Sequence, residues 1–235
     1  MYLKRVLNKQ FSDLADRIDV TSYRNENLVS WIKTEPIEKA LIKLYITVGG
    51  SFAETQYRRL KQRKSEETHD EWYQYFEHYI KTRAGNKIVS ITEESRKQAL
   101  KIIRAILEIS VPEGWSAEQT AREIRKALVK DGITINQWRA LRIARTEVIA
   151  ASNQGAMIGA RAVDVPLQKY WIPTYDERTR DTHLPMEQQN PKEMDEAFLV
   201  GGVWPAECPG DPDLPAEEVI NCRCTISFLV KEEVL

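Results

Sequence analysis

The stretch Asn221-Cys222-Arg223-Cys224-Thr225-Ile226-Ser227-Phe228-Leu229-Val230 decides the fold class. Cys222, Cys224, Ile226, Phe228 and Val230 alternate with Asn221, Arg223, Thr225 and Ser227. Side chains repeat every second residue along a strand, so this segment reads as a strand with one apolar face. Residues 167–175, rich in aromatic and β-branched side chains, supply an earlier strand. Between the two lies a polar, Pro-rich excursion of more than forty residues, 176–219. A loop of that length inside a compact domain is functional or pinned down by something. Phe198-Leu199-Val200, bounded by Gly201-Gly202, reads as a short strand within it.

Upstream of residue 165 the periodicity is helical. Leu3, Val6, Leu7, Leu14 and Ile18 predict an opening amphipathic helix. Pro36 suits a first helical turn, with Ile37, Leu41, Leu44, Tyr45 and Val48 as its stripe and Gly49-Gly50 as its terminator. Trp72, Tyr75, Phe76, Tyr79 and Ile80 follow the spacing of one helix face. Beside Lys61, Arg63 and Lys64 that face suits nucleic acid, but the pattern is the ordinary one for core packing. His69 and His78 sit on polar faces with no ligand spacing. Ser90–Glu93, Ser116–Gln119 and Thr134–Gln137 each have the form of a capping box, so three further helices are expected. The last, about 135–162, presents Ala144, Val148, Ala151, Ser152, Gly155 and Gly159, and this Gly-x-x-x-Gly face lets a second backbone come close. The fold class predicted is therefore α+β, with a mostly helical N-terminal part and a small C-terminal α+β domain around a short, antiparallel sheet. The boundaries read as 1–84, a helical N-terminal region, 85–134, a helical connector, and 135–235, the α+β domain.

Composition narrows the function classes. The 235 residues are 42% hydrophobic and 29% charged, which excludes bulk disorder. No apolar run reaches the ~18–20 residues of a membrane span, so no membrane partner is expected. Met1-Tyr2-Leu3-Lys4-Arg5, followed by Asp13, Asp16 and Asp19, has no signal-peptide character. The net charge of −1 conceals a split: residues 1–164 hold 28 Lys/Arg and 21 Asp/Glu, a balance of +7, and residues 165–235 hold 6 and 14, a balance of −8. Eight of the ten prolines and all three cysteines lie in the acidic part.

Two clusters there carry candidate chemistry. His183, Cys208, Cys222 and Cys224 have the composition of a structural zinc set, although Cys-x-Cys is not the usual ligand spacing. Free buried thiols and a disulfide are the alternatives. The run Asp176-Glu177-Arg178-Thr179-Arg180-Asp181-Thr182-His183 admits a catalytic reading, with His183 as a base oriented by Asp181 or Asp176 and Arg178 or Arg180 facing an anion. The other reading is a network of Asp and Arg forks that ties the loop down, completed by Arg145 and Glu147. No nucleophile, Gly-rich phosphate loop or two-metal carboxylate cluster accompanies the run.

The order of motifs is informative. Ala144-Arg145-Thr146-Glu147 and Asn153-Gln154-Gly155 on a helix, then Asp176–His183, Pro209-Gly210-Asp211-Pro212 and Glu218-Val219-Ile220-Asn221-Cys222-Arg223-Cys224-Thr225, resemble the Mu F-like minor head protein family of tailed phages. The resemblance covers about residues 85–230. It departs after His183, where members place a Gly-containing turn and this chain has Met186-Glu187-Gln188-Gln189. It implies a non-enzymatic, low-copy minor capsid component made in the bacterial cytoplasm and built into the procapsid or head interior. Expected partners are the portal or major capsid protein, with phage DNA bound weakly and without sequence preference. It also implies that Arg145, Thr146, Glu147, Asp176, Arg178, Arg180, His183, Asp211, Asn221 and Arg223 form a structural motif network. The alternative is a nuclease or nucleotide transferase centred on His183, Arg178, Arg180 and Asp176. No cofactor is expected beyond the zinc that the His/Cys set would admit.

Overall fold

A computed structural model describes residues 2–61 and 69–231. Among the described residues six helices, α1 (Tyr2–Ala15), α2 (Glu35–Lys61), α3 (His69–Thr82), α4 (Gly85–Ser110), α5 (Ala117–Arg161) and α6 (Ala216–Val219), accompany five strands. The strands are β1 (Leu167–Ile172), β2 (Lys192–Glu193), β3 (Phe198–Val200), β4 (Trp204–Ala206) and β5 (Thr225–Val230). The fold is α+β, as the sequence predicts. Two compact units divide the chain: Met1–Leu41 with Gly85–Leu141, and Ile42–Ala84 with Arg142–Leu235. Both α2 and α5 run through the division, so residues 42–84 share a unit with the C-terminal motifs.

In the first unit, Phe11, Leu14, Ile18, Ile32, Ala99, Ile103, Ile124 and Leu128 form the core. Chain ends that leave helices are held by arginines: Arg96 donates twice to the Ile32 carbonyl, at 3.0 and 2.8 Å, and Arg125 donates to that of Ile18 at 2.6 Å. Of the three predicted capping boxes only one caps. The Ser116 hydroxyl accepts from the Gln119 N–H at 3.2 Å and opens α5. Ser90 lies inside α4 and Thr134 inside the 45-residue α5. Neighbouring hydroxyls in these stretches turn back on their own helix, Thr92 to the Ile88 carbonyl at 2.9 Å and Ser95 to that of Ile91 at 2.8 Å. Helix starts at 90 and 134 are thereby corrected.

In the second unit, Gly49-Gly50 does not end α2. A Cβ built on Gly155 of α5 would lie 2.1 Å from the Gly49 carbonyl oxygen, and one on Gly159 would lie 2.1 Å from that of Ala53. The glycines therefore serve a backbone-to-backbone crossing of α2 and α5, as the Gly-x-x-x-Gly spacing predicts, and Gly49 is a contact rather than a cap. The aromatic stripe of α3 is core: Phe76 and Ile80 are fully buried, Tyr79 and Trp72 nearly so, while Tyr75 stays partly exposed. Arg63 and Lys64, and the side chain of Lys61, lie outside the described residues. An antiparallel sheet in the order β2-β1-β5 pairs Leu167 with Val230 and Ile172 with Thr225, and β3-β4 forms a separate hairpin. Trp171, Phe198, Phe228, Met186 and Met157 fill the core beneath. The long excursion is thus built of short elements, including a 3-10 turn over Leu184–Gln189.

Candidate functional site

The predicted terminal strand is shorter than its alternation suggests. β5 begins at Thr225, and Cys222-Arg223-Cys224 precedes it without a strand partner. Side chains take up the backbone there. Asn221 adopts a left-handed conformation with φ 57°, and its N–H donates to the Thr146 hydroxyl at 3.0 Å. The Arg223 carbonyl accepts from Thr174 at 2.9 Å, and that of Cys224 accepts from Asn153 at 3.0 Å. This approach aims both thiols inward.

Asn153 is the central cross-link. From α5 its amide also donates to the Pro209 carbonyl at 3.0 Å and accepts from the Ile226 N–H at 3.1 Å. One buried side chain so joins the long helix, the Pro209 loop and the first turn of β5. The Pro209-Gly210-Asp211 loop lies flat on α5. Gly210 has φ 81°, and a Cβ there would come within 2.9 Å of the Ala150 Cα, so both conformation and space require glycine. Asp211 accepts from the N–H groups of Glu207 at 2.8 Å and Asp213 at 3.0 Å, and pairs with Arg83 at 3.3 Å. Burial nevertheless raises its carboxyl above the ordinary carboxylate value. Glu147, also buried, accepts from the Tyr45 hydroxyl at 2.8 Å, and burial together with this carboxylate pushes the phenol well above its usual value.

Asp176 takes the fork of Arg223 and accepts from the Arg178 N–H at 3.0 Å. The Arg223 guanidinium holds its carboxyl well below the usual range. Arg180 reaches the Ile220 carbonyl. Arg145, Arg178, Arg180 and Arg223 are among the residues that line an open cleft of about 760 Å³, with Val148, Ile149 and Ile220. His183 does not open into this cleft. It is 1% exposed, packed edge-on against Trp171 with ring centroids 5.6 Å apart. Its Nδ1 lies 3.3 Å from Cys224 Sγ and 3.6 Å from Cys222 Sγ. Its Nε2 lies 3.0 Å from a Glu218 carboxylate oxygen, at ion-pair distance but without the alignment of a linear hydrogen bond. A hydrogen bond from Cys222, reinforced by His183, lowers the titration of Cys224, and the same Cys222–Cys224 contact together with burial raises that of Cys222.

The predicted residues separate accordingly. His183, Cys222 and Cys224 come together; Cys208 does not, and its thiol faces the Gln154 amide oxygen at 3.7 Å. Thr146, Glu147, Asp176, Arg180, Asp211, Asn221 and Arg223 are each engaged in cross-links, while Arg145 and Arg178 are exposed at the cleft. Glu218 and Arg83 were not singled out from sequence. Glu218 lies on the short helix α6, which ends at Val219 before Cys222, and neither it nor Arg83 carries a spacing signal.

Comparison with known proteins places these motifs. A segment of 90 residues is 34% identical to the NAD(+)–arginine ADP-ribosyltransferase EFV of Enterococcus faecalis (strain ATCC 700802 / V583), covering 37% of this chain. The matched part is 18% of that protein's length. No solved structure matches the chain. The family model described as phage Mu protein F like protein matches residues 101–227, more than half of the chain and all the motifs that form the network above. The chain therefore belongs to the phage Mu F-like family of head morphogenesis proteins.

Proposed function

We propose that this chain is a minor capsid protein, a low-copy component of the phage head that associates with the portal or the inner shell. The observation that carries this reading is the use to which the family motifs are put. Asn153, Thr146, Asp211 and Arg223 each tie a backbone or side-chain group of one element to another, so the motifs maintain a shape. An enzyme centred on His183 would need that imidazole to meet a substrate. Both its nitrogens instead face protein groups, and its ring is buried beneath Trp171. The surface offers the cleft of four arginines, which suits carboxylates of a protein partner or phosphates of DNA. DNA contact in this reading is electrostatic and independent of sequence.

Quantitative mass spectrometry of gradient-purified procapsids and virions tests the proposal. A few copies per head, against the major capsid protein, are expected; absence from both particles would overturn it. His183→Ala distinguishes the enzyme reading. The structural reading expects loss of stability or head incorporation, whereas an enzyme would assemble normally and fail only in activity.

A further inference from the structure

We infer that His183, Cys222 and Cys224 bind one zinc ion, with Cys208 outside the ligand set. The inference concerns the folded chain itself and is independent of which head protein the chain contacts. Its basis is the convergence of one ring nitrogen and two sulfurs, all buried and all within 4.8 Å of one another. Zinc bonds of ~2.3 Å to sulfur and ~2.0–2.1 Å to nitrogen, set at tetrahedral angles, place nitrogen and sulfur about 3.6 Å apart. The two observed nitrogen–sulfur distances, 3.3 and 3.6 Å, match that edge length.

The chemistry of the donors agrees with the geometry. Nδ1 of His183 faces both sulfurs, at 3.3 and 3.6 Å, while Nε2 lies 3.0 Å from a Glu218 carboxylate oxygen on the far side of the ring. A cation at the meeting point serves all three donors at once. A carboxylate behind a ligating imidazole is also the usual way a metal-bound histidine is oriented. Glu218 is in turn held by the Thr182 hydroxyl at 2.8 Å, so the support extends beyond the direct ligands.

Charge balances in a buried setting. Binding replaces two thiol protons, released to solvent, by one Zn²⁺, so two thiolates and the cation leave no net charge. Among the described residues no fourth His, Cys or carboxylate joins the cluster. A cavity of about 10 Å³ beside His183 and Cys224, bounded by Thr174 and Thr179, is the place for the remaining ligand, a solvent oxygen. The ion would tie the 3-10 turn after His183 to the segment that leads into β5.

The test uses the full chain, purified from zinc-replete cells without chelator or metal-affinity resin. Elemental analysis is expected to give about one zinc per chain. Cys208→Ser should keep the full equivalent, and Cys222→Ser and Cys224→Ser should each lose at least nine-tenths of it. Glu218→Gln, judged by competition with a chelator, should weaken retention about 10–100-fold while the chain stays folded. Should the cysteine variants fail to fold, cobalt added to the reduced, metal-stripped wild type decides the matter. A thiolate-to-Co(II) charge-transfer band with tetrahedral d–d absorption supports the site. Less than about a tenth of an equivalent of zinc with no cobalt band, or loss of zinc in Cys208→Ser, would overturn it.

Discussion

Gly155→Ala is the sharpest test of how the second unit is held together. In an open helix interior the change would stabilise by about 1 kcal/mol, because alanine orders at lower entropic cost than glycine. Here the added Cβ would lie 2.1 Å from the Gly49 carbonyl oxygen and 2.8 Å from its Cα, where ordinary contact begins at 3.4 Å. Relief therefore requires α2 and α5 to part by more than about 1 Å, which also opens the parallel contact between Gly159 and Ala53. Overpacking typically costs about 1–3 kcal/mol, and an obstacle made of helix backbone belongs at or above the top of that range. Net of the propensity gain, the variant should be about 2 kcal/mol less stable, a fall in midpoint of roughly 4–8 °C for a chain of this size. Gly50→Ala is the internal control. It lies in the same crossing helix, but its Cβ would meet nothing nearer than Trp72 Cβ at 3.9 Å, so it should be neutral or stabilising by up to about 1 kcal/mol. Thermal and urea unfolding followed by circular dichroism read both. A Gly155→Ala protein as stable as wild type, or a Gly50→Ala protein destabilised equally, would refute the close crossing.

Asn153→Ala should cost about 3 kcal/mol, because it strands two buried carbonyls and one N–H, and limited proteolysis should then cut within 176–219; unchanged resistance would contradict its bridging role. Asp176→Asn tests the Arg223 fork through pH. The folded carboxyl is held below its unfolded value of 3.8, so its contribution is fully present above about pH 4 and declines as pH falls below that. The wild type's advantage in urea midpoint over Asp176→Asn should shrink between pH 5 and about pH 2.5, and a constant difference would argue against the pair. Retention of the chain on DNA should fall steeply between about 50 and 200 mM salt, and salt-independent retention would exclude phosphate contacts as its basis.

Local signals carry the two main strands, the helical first part and the α+β class. They failed where a local motif had a tertiary use. Gly49-Gly50 has the form of a helix cap, but its meaning depends on a helix a hundred residues away. Ser90 and Thr134 satisfy the capping pattern, yet buried residues such as Ile88 and Thr92 on one side, and Gly132 against Phe11 on the other, carry each helix through. The alternation through Cys222 and Cys224 is genuine, but Asn153, Thr146 and Thr174 claim the backbone groups that a strand partner would use. In the site, composition pointed to one His and three Cys. Only the path of the chain separates Cys208, turned toward Gln154, from the two that meet His183. Glu218 opens the last quoted motif, but a carboxylate among many in an acidic segment gives no sign that it will face His183.

Crosslinking mass spectrometry on intact procapsids and mature virions tests the central claim most directly. A minor capsid protein of this family should give reproducible crosslinks from its lysines to the portal or the major capsid protein in both particles. A chain that crosslinks only to itself, or is missing from assembled heads, would contradict the account.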